Sequence, residues 1–408
     1  MDVLAPTTIE LTEYVPCELP KEALPFALGE KLWRLYDAQG KQLSVEFPTP
    51  ATSHCWRLTA LGWVGFIPLT RSAHMVISPK IPVANLFAMW AHVYGWRGVR
   101  WLTGITGVSS LPGFYERLAL LLANRVLVRG RQGWQRAYVA SDGWLPFVRG
   151  RLRTRELMTN WSGNTAVPCR YHTFTTDIPD NQILAYTLAL ISRNGRLSPA
   201  AQKTLRRAAH LACQIATPVP CTPEACIGRS YNRLNEDYRP LHALCRFFLT
   251  HTLPHHSPGS AGMSPFLVNM ARLFEQFVAA WLKVHLPAGW RVRVQESVNF
   301  GVRDELTFRA DVVLYDKNDR VRAILDTKYK TAPRAETADV SQVITYAKAK
   351  KAPHAILIYP QPLAQPLRIQ VDESLQLHTL TFALNNDLET AGQQFGTSLL
   401  EIIASTNA

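Results

Sequence analysis

The chain has 408 residues, of which 47% are apolar, and a formal net charge of +13. This composition excludes a disordered chain, and the length predicts two or three domains. No apolar run approaches the roughly 18 residues that a membrane span needs, and the acidic start lacks the pattern of a signal peptide, so we expect a cytoplasmic protein.

The excess positive charge is concentrated in one segment. Residues 1–96 hold seven Lys and Arg against eight acids, whereas residues 97–155 hold eleven Arg and only two acids, Glu116 and Asp142. Arginine suits bidentate contacts with phosphate. The charge distribution therefore indicates a nucleic acid as partner.

The seven cysteines do not form a disulfide framework in a chain of this length. Cys221 and Cys226 have no matching second pair, which argues against a zinc site. His251, His255 and His256 stand in a stretch rich in proline, and we interpret that stretch as a polar linker rather than as metal ligands.

Residues 1–81 predict a small β-rich domain. Strand-like segments alternate with glycine and proline, helical periodicity is absent, and a turn is expected from Asp37 to Gly40. Trp33, Trp56 and Trp63 are candidate interface anchors, although core packing is the preferred interpretation for most of them. The near-neutral charge of this domain is compatible with docking to a protein partner.

Residues 82–258 predict a mainly helical, arginine-rich central region. Apolar residues recur there at three- and four-residue spacing. Ser198 is expected to cap one helix, with Pro199 in its first turn. The predicted helices cover residues 83–94, 114–127, 180–191, 198–215 and 240–249.

Four arginines of this region stand at alternate positions. If the segment is extended, Arg149, Arg151, Arg153 and Arg155 point the same way. We interpret them as contacts to the phosphates of DNA, and the alternative is a solvated face or arginines paired with acids elsewhere.

Residues 259–408 predict an α/β domain. A helix is expected over residues 266–286, a strand from 290 to 300, a hairpin, a helix from about 339 to 350, and a buried strand over 354–359. This order describes helices packed on a mixed sheet. The predicted fold class is therefore α+β multidomain, with an N-terminal β-rich domain, a helical centre and a C-terminal α/β domain.

The hairpin over residues 309–330 is the most informative stretch of the chain. Two strand-like runs flank Asn318 and Asp319, which tolerate the left-handed backbone of a tight turn. Antiparallel pairing about that turn brings Asp311 opposite Asp326, about 5 Å apart, with Lys328 on the same face. Facing aspartates destabilise a sheet, and a bound Mg²⁺ removes that objection, while the lysine ammonium can hold the attacking water or the transition-state charge.

This arrangement resembles the PD-(D/E)xK nuclease superfamily. The motif residues are Asp311, then Asp326 and Lys328 as D-x-K. The resemblance implies that Glu275 on the upstream helix is a third metal ligand, an interpretation that we weigh equally with a solvated helix acid. It also implies that Gln342 and Tyr346, as Q-x-x-x-Y, contact the nucleic acid or support the site. Ala310 replaces the proline that the superfamily usually has before the first aspartate.

A wider set of motifs resembles the McrC family, the nuclease subunit of McrBC-type modification-dependent restriction systems. The motifs occur in matching order over nearly the whole chain. They are ISPKIP at 77–82, FVRGRL at 147–152, VPCRYHTFTTDIPDNQIL at 167–184, LFEQFV at 273–278 and LDTKYK at 325–330.

The resemblance implies an Mg²⁺-dependent endonuclease, with Mn²⁺ as a substitute ion, that cuts modified double-stranded DNA. It implies a McrB-like AAA+ GTPase hexamer as partner, whose GTP hydrolysis the subunit stimulates. We expect Lys330 to join the four arginines in contacting DNA.

The sequence holds no G-x-x-x-x-G-K-[ST] loop, so this chain does not power translocation. Two alternatives are a non-catalytic subunit that binds DNA and activates the motor, and a stand-alone nuclease.

Overall fold

The computed structural model describes residues 8–70, 73–95, 110–159, 166–193, 197–252, 265–300, 306–330 and 333–404. The predicted linker residues His255 and His256, the boundary predicted at 258/259, and Arg97 and Arg100 lie outside these ranges. None of the described helices combines the length and the apolar character needed to cross a membrane.

The chain divides into two compact units. The first unit combines residues 1–111 with 267–408, and the second comprises residues 112–266. The predicted segment 1–81 and all but the first eight residues of the predicted segment 259–408 therefore belong to the same unit. That residues 1–81, 82–258 and 259–408 fold as three separate domains stays a prediction.

The N-terminal part of the first unit contains six strands and two helices among its described residues. They are β1 (Thr8–Thr12), β2 (Cys17–Leu19), α1 (Phe26–Leu32), β3 (Leu43–Glu46), β4 (Trp56–Ala60), β5 (Trp63–Pro68), β6 (His74–Ser78) and α2 (Val83–Val93). Strands β2, β4 and β3 form an antiparallel sheet in that order. The β-rich character predicted for this region is confirmed.

Helix α1 corrects the expectation that helical periodicity is absent here. It continues into a π-helical turn, Trp33–Ala38, so the strand predicted before Asp37 is wrong. The buried positions Gly29, Leu32 and Tyr36 do follow a helical spacing. The first of these positions is a glycine because a Cβ at Gly29 would lie 2.1 Å from the ring of Trp56. Since glycine is not an apolar side chain, the sequence pattern does not show the helical period.

The C-terminal part of the first unit contains a six-stranded mixed sheet. Its elements are β10 (Phe266–Asn269), α8 (Met270–His285), β11 (Arg291–Phe300), β12 (Leu306–Tyr315), β13 (Val321–Thr327), α9 (Thr337–Ala349), β14 (His354–Tyr359), β15 (Arg368–Asp372), β16 (Leu375–Thr381) and α10 (Leu388–Ala404). The strand order is β11-β12-β13-β14-β16-β15. Strands β13, β14 and β16 are mutually parallel and the other pairs antiparallel, so the predicted mixed sheet is confirmed.

Helices cover the mixed sheet. Val343 and Ala347 of α9 pack against Ile324 of β13 and Leu357 of β14. Helix α10 approaches α8 closely, because a Cβ at Gly392 would lie 2.4 Å from Nε1 of the buried Trp281. Every residue of β14 is buried, as predicted for a strand inside a parallel sheet.

The two parts of the first unit are continuous. Strand β10 joins a second sheet of order β1-β6-β5-β10, so residues 266–269, predicted as the start of a helix, are a strand instead. Helix α8 begins only at Met270, where Asn269 caps it by accepting from the N–H of Arg272 at 2.9 Å. Asn85 Nδ2 also donates to the carbonyl of Leu384 at 2.7 Å.

The second unit is mainly helical, as predicted. Its elements are α3 (Leu111–Gln132), β7 (Ala137–Leu145), β8 (Arg151–Leu152), α4 (Thr154–Thr159), β9 (Val167–Thr175), α5 (Pro179–Ser192), α6 (Pro199–Ile215) and α7 (Tyr238–His251), with α3 beginning at the unit boundary. Ser198 caps α6 as expected, accepting from the N–H of Ala201 at 3.3 Å. Strands β7, β9 and β8 form an antiparallel sheet that was not predicted.

Candidate active site

The hairpin of β12 and β13 has the predicted register from Val312 to Leu314, and next to the turn the pairing shifts so that Tyr315 pairs with Val321. Val312 pairs with Leu325, and continuing that register by one residue brings Asp311 opposite Asp326. The turn is held by Asp316 Oδ1, which accepts from the N–H groups of Asn318 at 2.8 Å and Arg320 at 3.0 Å. Asp319 has φ +62°, the left-handed conformation expected there.

Asp311 ends the regular pairing between the two strands. Its Oδ2 accepts from both the N–H and the hydroxyl of Thr327, each at 2.9 Å. The side-chain carboxylate of Asp311 therefore accepts the next hydrogen bond in place of a backbone carbonyl. The regular backbone pairing of the two strands ends at the two aspartates. These two bonds fix Oδ2 of Asp311, while its Oδ1 faces Gln295.

Two acids near Asp311 are shifted toward their protonated forms. Burial, followed by repulsion from Asp311, raises the pKa of Glu275 to about 7. The same two causes, in the same order, raise the pKa of Asp326 to about 6, although the bond to Lys328 lowers it. Three carboxylates therefore interact unfavourably at the end of the hairpin.

Gln295 of β11 lies between Glu275 and Asp311. Its Nε2 donates to Glu275 Oε1 at 2.5 Å and stands 3.5 Å from Asp311 Oδ1. Gln295 has φ +51° within a strand that pairs with β12 on both sides of it. Gln295 was not among the predicted site residues, because nothing in the local pattern marks a strand glutamine as part of a site.

Lys328 faces Asp326, as the strand alternation predicts. Its Nζ lies 2.6 Å from Asp326 Oδ2 and 3.7 Å from Asp339 Oδ1. Burial lowers the pKa of Lys328, but the bond to Asp326 and the attraction of the surrounding acids outweigh it, so the net shift is upward. The lysine is a cation at neutral pH.

Gln342 of α9 bonds to the same lysine, and Tyr346 of the same helix bonds to Gln342. Lys328 Nζ donates to Gln342 Oε1 at 3.2 Å, and Gln342 Nε2 donates to the Tyr346 hydroxyl at 2.8 Å. The tyrosine fixes the orientation of the amide, so that its oxygen faces the ammonium. The four-residue spacing places both side chains on one helical face, as expected.

Asp339, also on α9, completes the charged cluster. It is buried and lies close to both Lys328 and Lys330, whose Nζ is 2.6 Å from Asp339 Oδ2 and 2.8 Å from Glu336 Oε2. Lys330, predicted to contact DNA, is thus held by two acids. Asp339 was not among the predicted site residues, although its position three residues before Gln342 places both side chains on one helical face.

The described residues include no group of three or more His, Cys, Asp and Glu side chains arranged to hold a metal ion. Glu275, weighed equally as a third ligand and as a solvated helix acid, accepts a hydrogen bond from Gln295. The metal roles of Asp311, Asp326 and Glu275 therefore stay predictions.

The predicted row of four arginines is not formed. Gly150, with φ +71°, turns the chain into β8, which has two residues, and Arg155 already lies on α4. Arg153 Nη1 lies 3.3 Å from Asp142 Oδ2, and Arg153 also pairs with Glu156. Arg149 stacks over the ring of Tyr171 at 4.7 Å. Alternate positions align only along a continuous strand, and this segment is not one.

The chain matches one family of known proteins. The model of the family "McrBC 5-methylcytosine restriction system component" matches residues 58–360. No curated protein matches the chain.

Two solved structures match this chain, and the first of them, with a TM-score above 0.5, shares its fold. A chain from the refined half-complex of a tetradecameric assembly of Thermococcus gammatolerans McrB AAA+ hexamers with bound McrC has a TM-score of 0.60 at 18% identity, covering 97% of this chain and 100% of that one. A chain from the Thermococcus gammatolerans McrBC complex has a TM-score of 0.44 at 22% identity, covering 69% of this chain and 88% of that one.

Proposed function

This chain belongs to the family of McrBC 5-methylcytosine restriction system components, and from this premise we propose that it is the Mg²⁺-dependent DNA endonuclease subunit of a McrBC-like restriction system. The observation that carries the proposal is the set of carboxylates beside a cationic lysine at the end of the β12–β13 hairpin, with Asp326 buried and Asp311 and Glu275 half-buried. The fold proposed for this part of the first unit is that of the PD-(D/E)xK nucleases.

The donor chemistry fits a hard divalent cation. Burial and mutual repulsion raise the pKa values of Glu275 and Asp326, so the cluster carries a penalty that a bound cation would remove. Mg²⁺ uses one or two carboxylates and keeps several waters. Asp311 and Asp326 would hold the ion, with Mn²⁺ as a substitute, and Glu275 would join them by releasing Gln295.

When bound, the metal supplies Lewis-acid activation of the phosphodiester. The remaining chemistry belongs to the chain. Lys328 is cationic and therefore does not accept a proton; its ammonium orients the attacking water and stabilises the charge that develops on the phosphate. Gln342 and Tyr346 hold that ammonium in place through their hydrogen bonds.

The partner of the proposed nuclease is an AAA+ GTPase hexamer that resembles McrB. The solved assembly with the similar fold is one of McrB AAA+ hexamers with bound McrC. We propose that this chain docks on such a ring, stimulates its GTP hydrolysis and cuts the modified double-stranded DNA that the ring recognises.

Cleavage by purified protein tests the proposal. Asp326→Asn and Lys328→Ala, assayed with the partner ring, GTP, Mg²⁺ and methylated DNA, are expected to lose at least about 100-fold in cutting rate, because each removes a group that acts in the transition state. Stimulation of the partner's GTP hydrolysis is expected to remain at the wild-type level. Glu373→Gln, which neutralises an exposed acid, is the matched control. Wild-type cutting by Asp326→Asn would sink the assignment.

A titration with Mg²⁺ distinguishes a nuclease from a non-catalytic subunit that only binds DNA and activates the motor. Wild type is expected to bind the ion more tightly than Asp311→Asn. Equal binding by both, or none by either, argues for the non-catalytic alternative. Omission of the partner tests the stand-alone nuclease, which would cut DNA at the same rate without it.

A further inference from the structure

A buried glutamate near the N-terminus is hydrogen-bonded to Tyr329, in the segment that follows β13. Glu13 follows β1 and has no exposed surface. Its Oε1 accepts from the N–H of Lys80 at 2.8 Å and from the hydroxyl of Tyr329 at 2.7 Å. The backbone of Glu13 is itself fixed, because its N–H donates to the carbonyl of Ser78 at 3.0 Å.

Tyr329 is the residue that follows Lys328. The regular pairing of β13 ends at Thr327, and beyond it the chain is held to β14 by the N–H of Lys328, which donates to the carbonyl of Ile358 at 2.9 Å. The side chain of Lys328 points to Asp326 and Gln342, while that of Tyr329 points to Glu13. What holds Tyr329 therefore also limits the rotation of the backbone that carries the lysine.

The ring of Tyr329 also contacts the helix of Glu275. Its centroid lies 6.0 Å from that of Phe274 on α8. The hydroxyl is directed to Glu13 at the same time. The tyrosine thus connects three segments that are far apart in sequence: the end of β1, the end of β13 and the start of α8.

We propose that Glu13 is a positioning residue for the active site, which acts through the Tyr329 hydroxyl to fix the direction of Lys328. The proposal rests on the proposed nuclease function, since it assigns Glu13 a role in that reaction. Packing of the ring alone would be served by phenylalanine, whereas the hydrogen bond to a rigid, buried acceptor is directional. Small displacements of a positioned group lower rates strongly without preventing binding.

The test uses substitutions that remove or keep the bond between Tyr329 and Glu13, and Glu13→Leu also removes the acceptor of the Lys80 N–H. Tyr329→Phe removes the donor, Glu13→Leu removes the acceptor, and the double variant removes both. Glu13→Gln keeps an oxygen that can accept both bonds and serves as the conservative rescue. Tyr186→Phe, in the second unit, is the matched control for loss of a tyrosine hydroxyl.

The single-turnover cutting rate, the affinity for DNA and the stimulation of the partner are measured on the assembled complex. Tyr329→Phe and Glu13→Leu are each expected to lower the cutting rate about tenfold, with DNA affinity and partner stimulation unchanged. The double variant is expected to be no slower than the slower single variant, because both act through one bond. Glu13→Gln is expected to retain the wild-type rate.

Several results would overturn the positioning role. Among them are a wild-type rate for Tyr329→Phe, rate reductions that multiply in the double variant, and a fall in DNA affinity that matches the fall in rate. A reduced rate for the conservative Glu13→Gln, equal to that of Glu13→Leu, would overturn it as well, because the acceptor oxygen is still present.

Hydrogen exchange separates this proposal from the proposed function. The amide of Lys328 is expected to exchange faster in Tyr329→Phe and Glu13→Leu than in wild type, because the strand end is released. If wild type does not cut DNA, the nuclease function fails and exchange alone decides the role of Glu13. Unchanged exchange would then overturn the positioning role.

Discussion

At the scale of single residues, the candidate site holds more carboxylates than cations. Asp311, Asp326 and Glu275 interact unfavourably, and Lys328 is the cation within 2.6 Å of Asp326. Asp339 adds a further acid beside the same ammonium. Buried carboxylates in excess of their cations are expensive in an apolar surrounding, so their grouping points to a function rather than to stability.

Tyr346→Phe tests the support of the lysine. Loss of the hydroxyl that accepts from Gln342 Nε2 frees the amide to rotate, so its oxygen no longer holds Lys328. We expect the cutting rate to fall about tenfold while the fold and partner stimulation are kept. Ser341→Ala, an exposed position on the same helix, is the control in a single-turnover assay. A wild-type rate for Tyr346→Phe would mean that the tyrosine only packs against Phe308, whose ring lies 5.7 Å away.

At the scale of elements, helices and strands with a clear period agree with their sequence patterns, and irregular ones do not. Strand β14, six buried residues in a row, lies between the parallel strands β13 and β16. The short helix α1 was missed because a glycine occupies its apolar face, where Trp56 packs. Strand β10 was assigned to the following helix because a run of four apolar residues fits either structure.

Two histidines of adjacent strands predict how stability changes with pH. Burial, then repulsion from His378 and Arg322, lowers the pKa of His354 to about 4. The unfolded chain binds a proton at this residue near pH 6.5 and the folded chain only near pH 4, so the folded state loses stability as the pH falls through this window. The loss is on the order of 3 kcal/mol when complete.

The pH dependence is measured as the urea midpoint between pH 7.5 and pH 4. His354→Gln removes the titrating group, so its midpoint is expected to fall less steeply with acidification than that of wild type, whatever its stability at pH 7.5. Gln393→Asn, a polar substitution at an exposed position of α10, is the control and keeps the wild-type slope. An unchanged slope in His354→Gln would contradict the prediction.

At the scale of the whole molecule, the positive charge is unevenly distributed, and its arginine-rich part falls mainly in the second unit. Arg149, Arg151 and Arg155 are exposed there, whereas Arg153 is paired with Asp142 and Glu156. Exposed arginines that contact phosphates release counterions from DNA, which makes binding depend on salt. The contribution of this segment to DNA binding stays a prediction.

Replacement of Arg149, Arg151 and Arg155 by alanine tests that prediction. DNA affinity is expected to fall, and the slope of log affinity against log salt to decrease by about 0.9 for each phosphate that the variant no longer neutralises. Lys203, Arg206 and Arg207 on α6, changed together to alanine, remove the same charge from another exposed place and serve as control. Equal effects of the two triple variants would mean that only net charge matters, and a fall in partner stimulation would mean that the segment contacts the protein partner instead.

The sequence by itself determined the hairpin, the facing aspartates and the lysine beside them, because strand alternation and turn chemistry are local rules. The Gln342–Tyr346 pair came from the resemblance, and its four-residue spacing agrees with one helical face. Only the tertiary structure decided that Gln295 separates Glu275 from Asp311, that Asp339 joins the lysines, and that Glu13 holds Tyr329. Glu13 and Tyr329 are 316 residues apart, and nothing in either local pattern indicates that they meet. Such contacts follow from how β1, β13 and α8 pack, and packing is a property of the whole fold.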